Sequence, residues 1–107
     1  MDNEKQILKE LKNLLEHHFC KNIKEVILFG SRARGAANAN SDYDVLIVLN
    51  TYYDWQFKDK VSDLVYDLEL KYDILIDQFL ISTNELQYSL RGAQPVFVNA
   101  IENGVYV

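Results

Sequence analysis

Two short, unbroken apolar runs, Val26–Phe29 and Val45–Leu49, and a third, looser one from Tyr72 to Ile81 constrain this chain most. Runs of this length are too short for buried helices and lack the in-out alternation of a strand with one wet face. They predict strands covered on both sides, so helices must lie above and below a small sheet. The sequence supplies those helices. Ile7, Leu8, Leu11, Leu14, Leu15 and Phe19 recur at helical spacing over residues 3–19. Phe57, Val61, Leu64, Val65 and Leu68 do the same between Asp54 and Leu70, with Asp54 placed as an N-cap. The order helix, strand, loop, strand, helix, strand predicts a right-handed crossover that leaves strands two and three parallel. Ser82 and Glu85 have the spacing of a capping box for a further short helix, which Gly92 and Pro95 break. Phe97–Glu102 reads as helical again, and Gly104 stops it before an extended Val105–Val107. The expected fold class is mixed α/β (α+β): a small mixed sheet flanked by helices.

With 107 residues the chain is read as one domain, 1–107, built on one core. Eleven Lys and Arg against sixteen Asp and Glu leave a net charge of −5, which argues against a broad nucleic-acid-binding surface. Basic residues must therefore act locally. A single cysteine, Cys20, rules out an internal disulfide, and with only the adjacent His17 and His18 beside it there is no usual zinc ligand set. The amphipathic, acidic N-terminal segment is unlike an export signal, and no apolar run is long enough to span a bilayer. The reading is a cytoplasmic protein with no membrane partner.

The chemistry concentrates between the first two strands, in Gly30-Ser31-Arg32-Ala33-Arg34-Gly35 and in Asp42-Tyr43-Asp44. If Asp42 and Asp44 open a strand, period two puts both carboxylates on one face, roughly 6–7 Å apart. Two bare carboxylates at that range repel by about 2–3 kcal/mol at an effective dielectric near 20. A divalent cation reverses that sign, and oxygen-only ligands suit Mg²⁺, which completes its shell with water and substrate phosphates. A strand ending in Gly30 lets the backbone approach a bound group closely, and the N–H groups and hydroxyl of the turn begun by Ser31 favour an anion. Arg32 and Arg34 follow within one helical turn, from which at least one reaches the same phosphates.

Gly-Ser, ten residues, then Asp-x-Asp resembles the signature of the polymerase-beta-type nucleotidyltransferases, met here at Gly30, Ser31, Asp42 and Asp44 without a gap. In a chain of this composition the pattern arises by chance on the order of one time in a thousand. The resemblance covers nearly the whole chain and is strongest to the minimal nucleotidyltransferases, antitoxins of HEPN-type proteins. It implies the nucleotidyltransferase fold and transfer of AMP from ATP, with two Mg²⁺ ions held by Asp42, Asp44 and a third carboxylate. In that family the third carboxylate lies near the start of the next parallel strand, which in Tyr72-Asp73-Ile74-Leu75-Ile76 is Asp73. Asp77, four residues on and on the same strand face, is its competitor. Asp73 is preferred because parallel strands entered from one end bring their first residues side by side.

The resemblance further implies that Ser31 and the loop N–H groups hold the departing phosphates, and that the acceptor is a tyrosine of a HEPN-type toxin. Two rivals stand beside it. One is the same chemistry on a small-molecule acceptor, for which antibiotic-modifying relatives generally carry a further helical domain; the other is an antitoxin that neutralises by contact alone. His17-His18 is read as a helix C-terminus and Cys20 as a small buried residue. The aromatic segment Thr51–Phe57 is read first as core cover, then as a partner surface, then as a base platform.

Overall fold

The computed structural model describes residues 2–33, 35 and 42–107. Helix α1 (Asp2–Phe19) leads through a short 3-10 turn at Cys20–Asn22 into strand β1 (Ile23–Phe29), followed by β2 (Tyr43–Leu49). Helix α2 (Trp55–Tyr72) then connects to β3 (Ile76–Ser82), and α3 (Thr83–Tyr88), a 3-10 turn at Leu90–Ala93, α4 (Pro95–Asn103) and β4 (Val105–Tyr106) complete the order. The four strands form one mixed sheet in the order β3-β2-β1-β4. β2 and β3 are parallel, as the crossover through α2 requires, while β1 is antiparallel to both β2 and β4.

Period two sorts the strand residues into two cores. Val26, Leu28, Tyr43, Val45, Ile47 and Leu80 face α1 and α2, meeting Leu8, Leu11 and Leu15 from the first helix and Val61, Val65 and Leu68 from the second. Ile27, Phe29, Leu46, Val48 and Ile81 face the other way, onto Phe97 and Ala100 of α4. The buried runs are continuous because the sheet is covered on both faces, which is what the unalternated sequence demanded.

Local signals set the boundaries. Asp54 caps α2, its carboxylate accepting the Phe57 N–H at 2.9 Å. Ser82 and Glu85 form the capping box of α3, with reciprocal side-chain bonds of 3.1 Å. Pro95 opens α4 at a first-turn position, where its missing N–H costs nothing. Gly104 ends α4 in extended backbone, its N–H donating to the Ala100 carbonyl; a Cβ there would run into that carbonyl and the Ile27 side chain.

One boundary differs from expectation. The run from Tyr72 does not begin a strand, because α2 continues through Tyr72 and is closed by Asp73 in the left-handed region at φ 53°. Asp tolerates that conformation better than most residues, and the Asp73 and Ile74 N–H groups both return to the Glu69 carbonyl. Three residues are spent on stopping the helix and turning, so β3 starts at Ile76. At that point the Ile76 N–H points away from β2 and donates to the Glu69 carboxylate at 2.8 Å. Cys20 is exposed rather than buried, a left-handed residue just past α1.

Candidate active site

β1 and β2 meet at their site end through the pair Phe29↔Asp44. The next residue, Gly30, adopts φ +76°, and a Cβ built there would overlap Asp44 Oδ2. Glycine is thus required twice, for the left-handed turn and for the carboxylate lying against its backbone. Ser31 and Arg32 continue the turn, which the Gly35 N–H closes onto the Arg32 carbonyl at 3.3 Å. Arg34 lies outside the described residues, so its expected phosphate contact has no structural account.

Asp42 is exposed immediately before β2, and Asp44 is half-buried inside it. Alternation turns Tyr43 toward α1 and Asp44 toward the α4 face of the sheet. The parallel ladder places Asp77, not Asp73, opposite Asp44. Burial pushes the Asp44 carboxyl above its ordinary value of 3.8, and the charges of Asp77 and then Asp42 push it further in the same direction. Asp77 and Asp42 are thus the carboxylates whose charges reach Asp44. Asp73, expected to be the first residue of the strand, is instead the exposed cap of α2, three residues before β3 begins. The misplacement follows from the helix end: a helix cannot stop and a strand begin at the same residue. Asp77, the alternative on the same face, is the residue that the parallel register sets opposite Asp44.

Arg32 makes two described contacts on the α1 side of the sheet. Its guanidinium lies 4.0 Å from the centre of the Tyr43 ring and pairs with Glu4 Oε1 of α1 at 3.2 Å, with only 10% of the side chain exposed. Those partners belong to the helix-covered face, opposite that of Asp44. These two contacts tie Arg32 to α1 and to the start of β2.

An oxygen-only donor set of two or three carboxylates that repel one another fits Mg²⁺ in type and charge. Among the described residues no group of three or more His, Cys, Asp or Glu side chains is placed to hold a metal ion. Mg²⁺ commonly takes only one or two protein carboxylates and completes its shell with water and substrate phosphates.

A hollow of about 650 Å³ lies elsewhere, at the opposite end of β2 and β3 between Asn50–Tyr53 and Ser82–Glu85. Here the aromatic segment divides. Tyr53 and Phe57 pack against the core, Phe57 stacking on Phe19 at 4.2 Å, whereas Tyr52 and Trp55 are exposed. The Tyr53 hydroxyl donates to Glu85 Oε1 at 2.6 Å and accepts from Arg91 at 3.0 Å, and Arg91 also pairs with Glu85 at 3.3 Å.

A mixed sheet with two buried faces, a Gly-Ser turn at the end of one strand and an acidic pair at the start of the next defines a nucleotidyltransferase domain. Residues 9–100 match the family described as polymerase beta, nucleotidyltransferase, and the chain belongs to that family. Its enzyme class is nucleotidyltransferase. "Putative protein adenylyltransferase MJ0604" of Methanocaldococcus jannaschii is 39% identical over 84 residues, covering 78% of either chain. "Putative protein adenylyltransferase MJ0141" of the same organism is 37% identical over 75 residues, covering 70% of this chain and 76% of its own. Among solved structures, a mutant of the toxin-antitoxin MntA-HpeT superposes with a TM-score of 0.59 at 21% identity, covering 92% of this chain and 69% of that one. A toxin-antitoxin solved with AMP-PNP gives 0.57 at 21% identity, covering 92% and 70%. These two likenesses establish the fold. No helix among the described residues is long and apolar enough to cross a membrane.

Proposed function

We propose that this protein transfers AMP from ATP to a hydroxyl of a protein partner, a tyrosine of a HEPN-type toxin, in a Mg²⁺-dependent reaction. The observation that carries the reading is the register Asp44↔Asp77 beside the Gly30 turn, which sets two carboxylates next to a glycine-serine turn at the end of β1. The relatives named as protein adenylyltransferases and the toxin-antitoxin folds support the acceptor class.

Asp42 and Asp44 would hold Mg²⁺, with Asp77 as the third carboxylate in place of Asp73. Bound Mg²⁺, two ions on the family's pattern, would neutralise the triphosphate and make the acceptor hydroxyl more acidic. The turn from Gly30 to Ser31 holds the β and γ phosphates through backbone N–H groups and the Ser31 hydroxyl. The acceptor oxygen forms a new bond to the α-phosphorus as the bond to the β-phosphate breaks, and pyrophosphate departs. The hydroxyl proton passes to Asp77, the strand-end carboxylate in register with Asp44, and on to water. Catalysis is then positioning and charge neutralisation, with no covalent intermediate.

Intact-mass spectrometry of the partner, incubated with this protein, ATP and Mg²⁺, tests the reading. The expected gain is one or more units of about 329 Da, the adenylyl group transferred when pyrophosphate leaves, and none with Asp44→Asn. An unmodified partner whose activity is still blocked by both the wild-type protein and Asp44→Asn would replace catalysis with neutralisation by contact.

A further inference from the structure

Helix α2 is apolar on two sides. Val61, Leu64, Val65 and Leu68 enter the core, yet Trp55, Tyr66 and Leu70 on the outward side are 69%, 57% and 64% exposed. At about 3.6 residues per turn these three fall with Asp59, Asp63 and Asp67 within about a third of the helix circumference. Single exposed apolar residues are ordinary on a protein surface. Three large ones on one helix face, spread over about 22 Å from Trp55 to Leu70, make a stripe of the kind through which helices dock. Tyr66 and Leu70 are one turn apart, and the aspartates repeat every fourth residue beside them.

The stripe ends at the edge that carries the carboxylates. Past Leu70 the chain folds back on the last turn, the Ile74 N–H donating to the Glu69 carbonyl and the Ile76 N–H to the Glu69 carboxylate. Leu75, between those two bonds, is exposed and adds an apolar side chain at that end. Two residues on, Asp77 stands opposite Asp44. A rod lying along α2 from Trp55 therefore runs toward the carboxylates and brings its end past Leu70. The aspartates set the character of that rod. Three carboxylates along an apolar stripe favour Lys or Arg on the occupant, whereas a second copy pairing through the same face about a two-fold axis would set the three aspartates against the same three.

We infer that the outward face of α2 is the docking surface for the protein acceptor, and that its occupant is an amphipathic helix whose apolar stripe is flanked by Lys or Arg. This docking role rests on the reading of the protein as one that modifies a protein partner. The face leaves the chemistry to the carboxylates and supplies the nearness and orientation of the acceptor. Its six side chains are all exposed, so replacing them leaves the core untouched.

Trp55 is the only tryptophan of the chain, so its emission reads this face directly. The test titrates the protein, without nucleotide, with a synthetic helical peptide of about 18 residues that carries Leu at helical spacing and Lys elsewhere. A shift of the Trp55 emission to the blue is expected, with binding about tenfold weaker for Asp59→Asn/Asp63→Asn/Asp67→Asn and for Tyr66→Ala/Leu70→Ala. A Leu/Glu counterpart and a scrambled Leu/Lys peptide should each bind at least about tenfold more weakly. No blue shift, equal binding of the scrambled peptide, or an affinity unchanged in either variant overturns the docking face. A blue shift that grows with protein concentration alone, with sedimentation as a dimer, replaces the partner helix with a second copy. Loss of the shift leaves AMP transfer standing, and an unmodified partner with the shift intact leaves a docking face without the transfer.

Discussion

Asp44 is the residue at which stability and function oppose each other. Burial and two neighbouring carboxylates raise its pKa, so the folded state holds its proton more tightly than the unfolded chain does. Its contribution to stability is complete below the ordinary value of 3.8 and is lost as pH rises through the higher folded value. At neutral pH the charge therefore works against the fold. Asp44→Asn is expected to raise the melting temperature of the unliganded protein by roughly 1–3 °C, while removing the stabilisation by ATP with Mg²⁺ and all transfer. Differential scanning fluorimetry with and without nucleotide, beside an activity assay, checks both halves. The strand-three aspartates separate in the same assay: Asp77→Asn should abolish transfer and Asp73→Asn should leave most of it. The reverse result would mean that β3 slides along β2 in the working enzyme. Gly30→Ala should cost about 1–2 kcal/mol for the left-handed conformation alone, and should also displace Asp44, read as a lower urea midpoint together with lost nucleotide binding.

Among the elements, the segment after β2 and the one after β3 are tied by Tyr53, Glu85 and Arg91. Burial first, and then the bond to Glu85, push the Tyr53 phenol up to about 12. Burial acts to raise the Glu85 carboxyl as well, but the bonds from Tyr53, the Ser82 N–H and Arg91 outweigh it and hold it below the ordinary 4.5. The signs bound a pH window. The Glu85 contribution is complete above 4.5 and fades as pH falls through its lower folded value. The Tyr53 contribution is complete below 10.0 and fades as pH rises toward about 12. Tyr53→Phe should cost about 1 kcal/mol at neutral pH, and its deficit relative to wild type should narrow at both extremes of a urea-melt series. The capping box within this cluster was legible because Ser82 and Glu85 are three residues apart in sequence. Tyr53 and Arg91 were not, because their meeting depends on where the parallel β2 and β3 both end. The same limit applies to the site. The candidate residues Gly30, Ser31, Asp42 and Asp44 follow from local spacing, but placing Asp77 rather than Asp73 opposite Asp44 needed the inter-strand register. Register was hidden by a helix that runs on through an apolar stretch before closing on a left-handed aspartate. The orientation of Arg32 was equally out of reach, since its partners Glu4 and Tyr43 come from different elements.

For the whole molecule, the catalytic edge of this small domain is open, and its net charge of −5 favours a partner with a basic face completing the site. On the proposed function, free sugars and aminoglycosides are expected to accept negligible adenylyl group under conditions where the proposed protein acceptor is fully modified, a contrast that mass spectrometry reads directly. The sheet itself is poorly suited to making that contact by adding a strand. Its β4 border is two residues long. Along the β3 border, the Glu69 carboxylate occupies the Ile76 N–H, the Tyr53 hydroxyl reaches the Leu80 carbonyl at 3.4 Å, and Glu85 takes the Ser82 N–H. Side chains thus occupy two outward N–H groups, those of Ile76 and Ser82, through which a β-rich neighbour would otherwise be recruited. Both ends of that border are in this way guarded against strand-templated fibre growth, and Glu69, which also closes α2 through its carbonyl, becomes a residue of solubility.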